Sequence, residues 1–205
     1  MQELVPGVFH WTAVHPNIEM DVSCYAHAPS GTVIDPLLPP DEGIGWFDGE
    51  GRRPQRVVLT NRHHLRDADA IASAYGCPIL CHEAGLHEFK EGPDVKGFSF
   101  GDELAPGVRA LEVGAICDEE AALLIDAGPG LLVVADAVMR YGGNLHFVPE
   151  QYLADEGEDP EPVKRAIRES YARLLDEPFD GLLPAHGDPV LEGGKDELRR
   201  FTEQS

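Results

Sequence analysis

The sequence has few basic residues: 16 lysines and arginines stand against 37 aspartates and glutamates, which gives a net charge of −21. This shortage argues against a nucleic-acid-binding surface, because affinity for nucleic acids depends on lysine and arginine side chains that neutralise phosphates. Binding to an anionic membrane surface is disfavoured for the same reason. The excess of acid by itself indicates a solubility adaptation rather than an acidic binding function.

Long apolar runs and a secretory leader are also lacking. No apolar stretch approaches the roughly 20 residues that a membrane-spanning helix needs. Residues 1–6 lack the basic region and apolar core of a signal peptide. We therefore expect a cytoplasmic protein. The length of 205 residues predicts a single domain over residues 1–205, large enough to bury a substantial core.

The four cysteines, Cys24, Cys77, Cys81 and Cys117, include no Cys-x-x-Cys pair. In a cytoplasmic chain we expect reduced thiols that are buried as small apolar residues. A structural zinc site needs about four ligands, whereas the segment from Cys77 to Cys81 predicts a strand. The cysteines therefore predict core packing and no structural zinc site.

Short apolar segments predict strands throughout the chain, and helical patterns follow them in the middle and near the end. The predicted strands lie at residues 8–11, 23–26, 32–35, 57–60, 79–82, 108–113, 121–126, 131–135 and 181–183. The predicted helices lie at about residues 65–75, 84–89, 163–175 and 195–201. Strands followed by helices, twice over, predict an α/β (α+β) protein in which two sheets pack face to face with helices outside, a four-layer αββα sandwich.

Chemically useful side chains follow three of the predicted strands. The run TNRHHLRD at residues 60–67 follows the apolar segment 57–59, Asp136 follows segment 131–135, and His186 follows segment 182–184. Strand ends that deliver acids and imidazoles to one rim are typical of metal-dependent hydrolases.

With these motifs in this order, the chain resembles the metallo-β-lactamase superfamily along nearly its whole length. Five segments carry the resemblance: TVIDP at 32–36, the strand and loop at 57–67, residues 111–124, residues 131–136, and LLPAHG at 182–187. They are similar to the family's first aspartate strand, its HxHxDH loop, its third histidine segment, its bridging-aspartate strand and its P-G-H-G segment. The resemblance implies the αββα sandwich and a site that normally holds two zinc ions, or zinc with another metal.

Several ligand positions of the family are changed in this sequence. Anchoring on Thr60 places the family's ligand positions on Asn61, His63, Leu65, Arg66 and, in the third segment, Ala115. Among these five positions, only that of His63 still carries a metal-binding side chain. The family's two remaining ligand positions also carry one, Asp136 and His186. The resemblance therefore implies a His₂Asp set in place of the usual two-metal site.

We take His63, Asp136 and His186 as candidate metal ligands, which in kind suffice for one catalytic ion of zinc, iron or manganese. In the family the positions of His63 and His186 serve different metals, so the alternative is that no metal binds. The residues expected to line the same pocket are Asn61, His64, Arg66, Ala115 and Cys117.

Two further substitutions bear on mechanism. Leu65 stands where the family has the aspartate that orients a metal-bound hydroxide, so no catalytic base is identified. Arg66 carries a permanent cation at a former ligand position, and we hypothesise that its guanidinium pairs with Asp136 and replaces the charge of the second metal. The alternative is an ordinary solvent-facing arginine at the start of a helix.

The sequence thus predicts a divergent metallo-β-lactamase-fold protein that has lost most metal ligands and is not a standard two-metal hydrolase. It is either non-catalytic, with a pocket that binds a small ligand or nothing, or a single-metal hydrolase of a small ester, thioester, lactone or phosphoester. Whether it is an enzyme stays open at this point. The expected partner is a small molecule, with no nucleic acid and no membrane.

Overall fold

The structure, a computed structural model, describes residues 1–155 and 157–204. The predicted domain of residues 1–205 includes Glu156 and Ser205, which lie outside the described residues. The strands of the described chain are β1 (Gln2–Val5), β2 (Val8–Val14), β3 (Asp21–His27), β4 (Thr32–Ile34), β5 (Arg56–Val58), β6 (Ile79–His82), β7 (Val95–Phe98), β8 (Glu103–Ala105), β9 (Val108–Glu112), β10 (Ala121–Ile125), β11 (Leu131–Val134), β12 (Val138–Tyr141), β13 (Asn144–Phe147) and β14 (Gly181–Pro184).

Helical segments lie between and after these strands. The α-helices are α1 (Ala68–Tyr75), α2 (Glu161–Leu174) and α3 (Gly194–Thr202). Shorter 3₁₀ segments occupy Ala28–Ser30, Gly43–Asp48, Arg62–His64, Glu83–Phe89 and Glu150–Tyr152. No helix in the described part of the chain is both long and apolar enough to cross a membrane.

The strands form two large sheets and one hairpin. Strands β1 to β7 make a seven-stranded sheet in chain order, and the second sheet has the order β14-β11-β10-β9-β8. Strands β12 and β13 pair with each other. Neighbours from β4 to β7 are parallel, as are β11 and β14. The carboxyl ends of parallel strands lie at the same edge of their sheet, and the polar segments that follow them can meet there.

The continuous apolar character of β11 follows from its position in the sandwich. Side chains alternate between the two faces of a strand, so Leu131 and Val133 pack in the core between the sheets. Leu132 and Val134 point the other way and pack in the core beneath α2 and α3. A strand buried on both faces is apolar at every position, which is why its sequence pattern predicts it well.

Three apolar cores correspond to the spaces between four layers. The inner core lies between the sheets and contains Val8, Tyr25, Ile34, Val58, Phe98, Ala110, Ala121, Leu123, Ile125, Leu131, Val133 and Leu183. One outer core joins the seven-stranded sheet to α1 through Ile71 and to the 3₁₀ segment Gly43–Asp48 through Trp46 and Phe47. The other joins the five-stranded sheet to α2 and α3. The predicted αββα sandwich is confirmed.

Some element boundaries differ from the sequence prediction. The helix predicted at residues 65–75 begins at Ala68, because residues 62–64 form a 3₁₀ turn and Arg66 takes the left-handed conformation (φ 40°). The helix predicted at 84–89 is the 3₁₀ segment Glu83–Phe89. The hairpin of β12 and β13 was not predicted, because only Val138, Met139 and Leu145 of its eight strand residues are buried.

We predict that Val58→Ala lowers the free energy of unfolding by about 2 kcal/mol, since it removes two methyl groups from the fully buried inner core. Val14 lies in the same sheet but is 63% exposed, so Val14→Ala is the matched control, with an expected change below about 0.5 kcal/mol. Urea denaturation measures both values. Equal losses in the two variants would contradict the assignment of the inner core.

Candidate metal centre

The candidate site lies where strands of both sheets end. Asp35 follows β4 and Thr60 lies just beyond β5 in the seven-stranded sheet, while Asp136 and His186 follow β11 and β14 in the other sheet. The backbone N–H of Ala121, at the start of β10, donates to the carbonyl of Thr60 at 2.8 Å. The two sheets are therefore joined directly at the edge where the polar side chains meet.

Three side chains converge at this edge: His64, Asp136 and His186. The Nε2 atoms of His64 and His186 lie 3.1 Å and 3.3 Å from Oδ1 of Asp136. Neither contact has the direction of a hydrogen bond, so this buried oxygen has no hydrogen-bond partner in the described chain. One donor atom from each residue lies within 4.8 Å of the other two. The three atoms are thus close enough together to serve as ligands of one ion.

The group opens to solvent beside Asp136. The side chain of Asp136 keeps 24% exposure, against 4% for His64 and 10% for His186. Asp136 is therefore the member of the group nearest to solvent, while the two imidazoles are enclosed by protein.

The orientation of the His64 ring is set by Asp35 and Thr60. Nδ1 of His64 lies 3.0 Å from Oδ2 of Asp35 and 3.1 Å from Oγ1 of Thr60. Thr60 donates its backbone N–H to Oδ1 of Asp35 at 2.8 Å and its hydroxyl to Oδ2 at 2.5 Å. Since the hydroxyl proton is already used, Thr60 accepts from Nδ1–H. This leaves Nε2 of His64 to face Asp136, the arrangement in which a carboxylate orients a metal-binding histidine.

Asp136 is held by its side chain and by its backbone. Nδ2 of Asn61 donates to Oδ2 of Asp136 at 2.9 Å, and Oδ1 of the same asparagine accepts from the backbone N–H of His63 at 2.8 Å. The backbone N–H groups of Asp136 and Ala137 donate to Oε1 of Glu120 at 3.3 Å and 3.0 Å. One carboxylate oxygen of Asp136 is therefore occupied by Asn61, while Oδ1 faces the histidines.

The backbone on either side of His186 is fixed by hydrogen bonds to three other strands. Ala185 donates to the carbonyl of Val134 and accepts from the N–H of Ser23, both at 2.8 Å, and Arg140 donates to the carbonyl of His186 at 2.9 Å. Gly187 has φ 103°, and a Cβ at this position would collide with the carbonyl of Arg140. The segment after β14 therefore requires glycine next to the histidine.

The charges of the group are strongly coupled. Burial and the charge of Arg66 lower the pKa of His64, but the carboxylates of Asp136 and Asp35 outweigh both and raise it to about 9. Burial raises the pKa of Asp136 and of Asp35, but other effects together outweigh it and hold both pKa values below their usual range. At Asp136 they are the charges and close contacts of His64 and His186, and at Asp35 those of His64 and Arg66 with the hydrogen bond from Thr60. Without a metal, His64 is therefore an imidazolium between two carboxylates at neutral pH.

The structure brings together two of the three predicted ligands. Asp136 and His186 lie in the group, whereas the side chain of His63 is exposed at the surface and His64 takes the place expected for it. The cause is the 3₁₀ turn that Asn61 caps, because residues three apart share one side of such a turn. Asn61 and His64 therefore both face Asp136. An asparagine cap three residues before a histidine is the signal that could have identified His64.

The predicted ion pair between Arg66 and Asp136 is absent among the described residues. Nη1 of Arg66, which is half-buried, instead donates to the carbonyl oxygen of Asp35 at 2.6 Å. Its charge acts on His64 and Asp35, where it lowers both pKa values. The arginine is therefore neither solvent-facing nor a direct replacement for a second metal at Asp136.

Leu65 and the predicted pocket residues Ala115 and Cys117 are not members of the group. Leu65 is half-buried and packs in the outer core beside α1. Ala115 and Cys117 are half-buried in the loop between β9 and β10, where burial raises the pKa of the Cys117 thiol. Within the described residues, the histidine, cysteine and acidic donors that cluster closely enough for a metal are those of His64, Asp136 and His186.

The spacing of these donors fits one metal ion. A tetrahedral zinc ion with ligand bonds of about 2.0–2.1 Å separates neighbouring ligand atoms by roughly 3.3 Å. The two separations at Oδ1 of Asp136, 3.1 Å and 3.3 Å, agree with that value. Two imidazoles and one carboxylate are also donors that zinc, iron and manganese accept.

For the metal-free protein we predict that the free energy of unfolding falls as the pH rises from about 6.5 to about 9. The pKa of His64 is about 9 in the folded chain, against an ordinary value of 6.5 for histidine. Its stabilising contribution, on the order of 3 kcal/mol, is therefore complete below pH 6.5 and lost above pH 9. Urea unfolding of chelator-treated protein across this range measures the change.

The adjacent histidine supplies the control for this prediction. His64→Asn should reduce the fall in stability between pH 6.5 and 9 and leave the part that comes from Glu120, whose pKa burial raises to about 8. His63→Asn should preserve the whole fall because that side chain is exposed. An unchanged slope in His64→Asn would assign the titration to another group.

Residues 1–199 match the sequence family described as the metallo-beta-lactamase superfamily. The sequence matches no curated protein. The fold is similar to that of TTHA1623 in a di-iron-bound form, with a TM-score of 0.64 and 19% identity over 88% of this chain and 94% of that chain.

Two further solved structures have a similar fold, with comparable TM-scores and sequence identities. The archaeal metallo-beta-lactamase superfamily protein ST1585 from Sulfolobus tokodaii has a TM-score of 0.67 and 15% identity, over 97% of this chain and 85% of that one. A metallo-beta-lactamase from Staphylococcus aureus has a TM-score of 0.67 and 17% identity, over 97% of this chain and 63% of that one.

The family match over nearly the whole chain, together with these folds, confirms the resemblance inferred from the motifs: the protein belongs to the metallo-β-lactamase superfamily.

Proposed function

We propose that this protein is a single-metal hydrolase in which His64, Asp136 and His186 hold one divalent ion. The observation that carries the proposal is Oδ1 of Asp136, a buried oxygen that faces two imidazole Nε2 atoms at 3.1 Å and 3.3 Å without a hydrogen bond to either. A buried carboxylate oxygen this close to two imidazole nitrogens needs a positive charge beside it, and a divalent ion in the space that the three atoms share supplies that charge.

The proposed chemistry combines the ion with donors that the protein holds in place. When bound, the metal supplies a Lewis acid and lowers the pKa of a coordinated water, which is how mononuclear metal hydrolases act. The chain's own residues orient the donors: Thr60 and Asp35 direct Nε2 of His64 inward, and Asn61 keeps the second oxygen of Asp136 occupied. Arg66 lowers the pKa of His64 and so favours the neutral ring that a metal requires.

A second ion is not part of the proposal. The positions that would hold it carry Asn61, Leu65, Arg66 and Ala115, none of which is a usual metal ligand. Leu65 also replaces the acid that orients the attacking hydroxide in the family, and a missing general base typically lowers rates 10²–10⁴-fold. We therefore expect slow turnover.

The proposed substrate class rests on the net charge of the protein. The net charge of −21 disfavours polyanions such as nucleic acids and anionic membranes. A small ester, thioester, lactone or phosphoester, met in the cytoplasm, remains the expected substrate. Zinc, iron and manganese are the candidate metals, and a di-iron-bound form of TTHA1623 is among the similar folds.

A second candidate function is a metal-free member that binds a small ligand or none. The placement of His64 favours it, because an imidazolium between Asp35 and Asp136 balances their charge without any ion. The two candidates differ in one measurable property, the metal content of the folded protein.

We predict about one equivalent of zinc, iron or manganese per chain in protein purified without chelator or affinity tag. His64→Ala and Asp136→Ala should each lose it, because a set of three ligands tolerates no deletion. His63→Ala should retain it, since that side chain is exposed. Elemental mass spectrometry measures all four samples. No metal in the wild type, even after incubation with zinc, would favour the metal-free candidate.

We also predict slow, metal-dependent hydrolysis of at least one small ester, thioester, lactone or phosphoester. Chelation should remove the activity and zinc or manganese should restore it, while Asp136→Ala should show none. A screen of chromogenic substrates with matched chelator controls tests this. Activity that persists in Asp136→Ala at the wild-type rate would exclude the proposed centre as its source.

A further inference from the structure

The loop between β9 and β10 places two neighbouring carboxylates in the protein interior. Glu119 is 2% exposed and Glu120 is fully buried. Glutamate is almost never fully buried unless it is paired, so each side chain needs a partner. In the family this segment carries a metal-binding histidine, and here it has none.

The two carboxylates bind different loops of the candidate centre. Glu119 forms an ion pair with Nη1 of Arg62, inside the turn that carries His64. Oε1 of Glu120 accepts from the backbone N–H groups of Asp136 and Ala137 at 3.3 Å and 3.0 Å. The loop therefore contacts the segments that supply two of the three donors.

The backbone of Glu120 is itself fixed within this loop. Its N–H donates to the carbonyl of Cys117 at 3.1 Å, and its carbonyl accepts from Val113 and Gly114 at 3.1 Å and 3.0 Å. Because the main chain is held at both ends of the residue, the carboxylate is a fixed acceptor. It satisfies two N–H groups at the end of β11, where the strand ladder no longer supplies partners.

We propose that Glu120 is a positioning residue for Asp136, through which the β9–β10 loop holds the segment that carries this candidate ligand. The inference rests on the proposed metal centre for its functional meaning. By fixing the main chain of Asp136 and Ala137, Glu120 directs the Asp136 side chain toward His64 and His186. Partners of this kind, one step removed from the metal, commonly change metal affinity 10–100-fold when removed.

A glutamine should serve in place of Glu120. The amide oxygen of glutamine can take the place of Oε1 of Glu120 and accept the same two backbone hydrogen bonds. A methionine keeps the length of the side chain but supplies no oxygen acceptor.

The test compares Glu120→Met and Glu120→Gln with the wild type by zinc competition against a chromogenic chelator and by the visible spectrum of bound cobalt. Glu120→Met should bind zinc 10–100-fold more weakly and alter the cobalt spectrum, which reports coordination geometry. Glu120→Gln should stay within about threefold of the wild type. Wild-type affinity and an unchanged cobalt spectrum in Glu120→Met would overturn the proposal.

A second glutamate controls for general loss of stability. The carboxylate of Glu177 pairs with Arg109, at the opposite end of β9 from the loop. Glu177→Ala should lower stability without changing zinc affinity or the cobalt spectrum. If Glu177→Ala weakens zinc binding as much as Glu120→Met, the effect is not specific to the loop and the proposal fails.

Amide hydrogen exchange in the metal-free protein separates this proposal from the metal centre itself. The N–H groups of Asp136 and Ala137 should exchange at least tenfold faster in Glu120→Met and at near wild-type rates in Glu120→Gln. If the wild type binds neither zinc nor cobalt, the proposed function fails while this readout still decides the role of Glu120. If Glu120→Met does not fold, the wild type and Glu120→Gln decide the question. Fast exchange of the Asp136 and Ala137 amides in the wild type would overturn the proposal. Protection of both amides in the wild type and in Glu120→Gln would support it.

Discussion

The imidazole of His64 lies between the carboxylates of Asp35 and Asp136, and the geometry of the site depends on the positive charge at this position. Two buried carboxylates this close are unstable unless a cation lies between them. A proton on Nε2 or a metal ion beside it can supply that charge, but not both, since a metal requires the unprotonated nitrogen. Arg66 shifts the balance toward the metal by lowering the pKa of His64.

The backbone around this histidine is held in an unusual conformation. Asp35 and Arg66 are non-glycine residues in the left-handed region, with φ values of 47° and 40°, and the side chain of Arg66 donates to the carbonyl of Asp35. Such residues cost on the order of 1 kcal/mol or more and persist where surrounding contacts fix them. The hydrogen bonds from Thr60 to Asp35 are contacts of this kind, and backbone strain beside such a group of candidate ligands is typical of functional sites.

The sequence predicts the layers of this fold better than the details of its site. Strands such as β10 and β11 are apolar on both faces, so their pattern identifies them and their place in the sandwich. Whether His63 or His64 points into the site depends on a single 3₁₀ turn. Such a turn leaves no periodic pattern in the sequence, so the sequence could not show that His64, one residue later than predicted, is the inward-facing histidine. The role of Glu120 was missed for another reason, because an acidic residue in a loop normally indicates exposure.

The hydrogen bonds that frame the site join positions far apart in the chain. Asn61 and Asp136 are separated by 75 positions, and Ser23 and Gly187 by 164. Closing such long loops costs entropy that local turns do not incur, so contacts of this kind form late in folding. A partly folded chain with one sheet formed would expose the apolar inner face, which makes it prone to aggregation, and would not bring Asp136 and His186 next to His64.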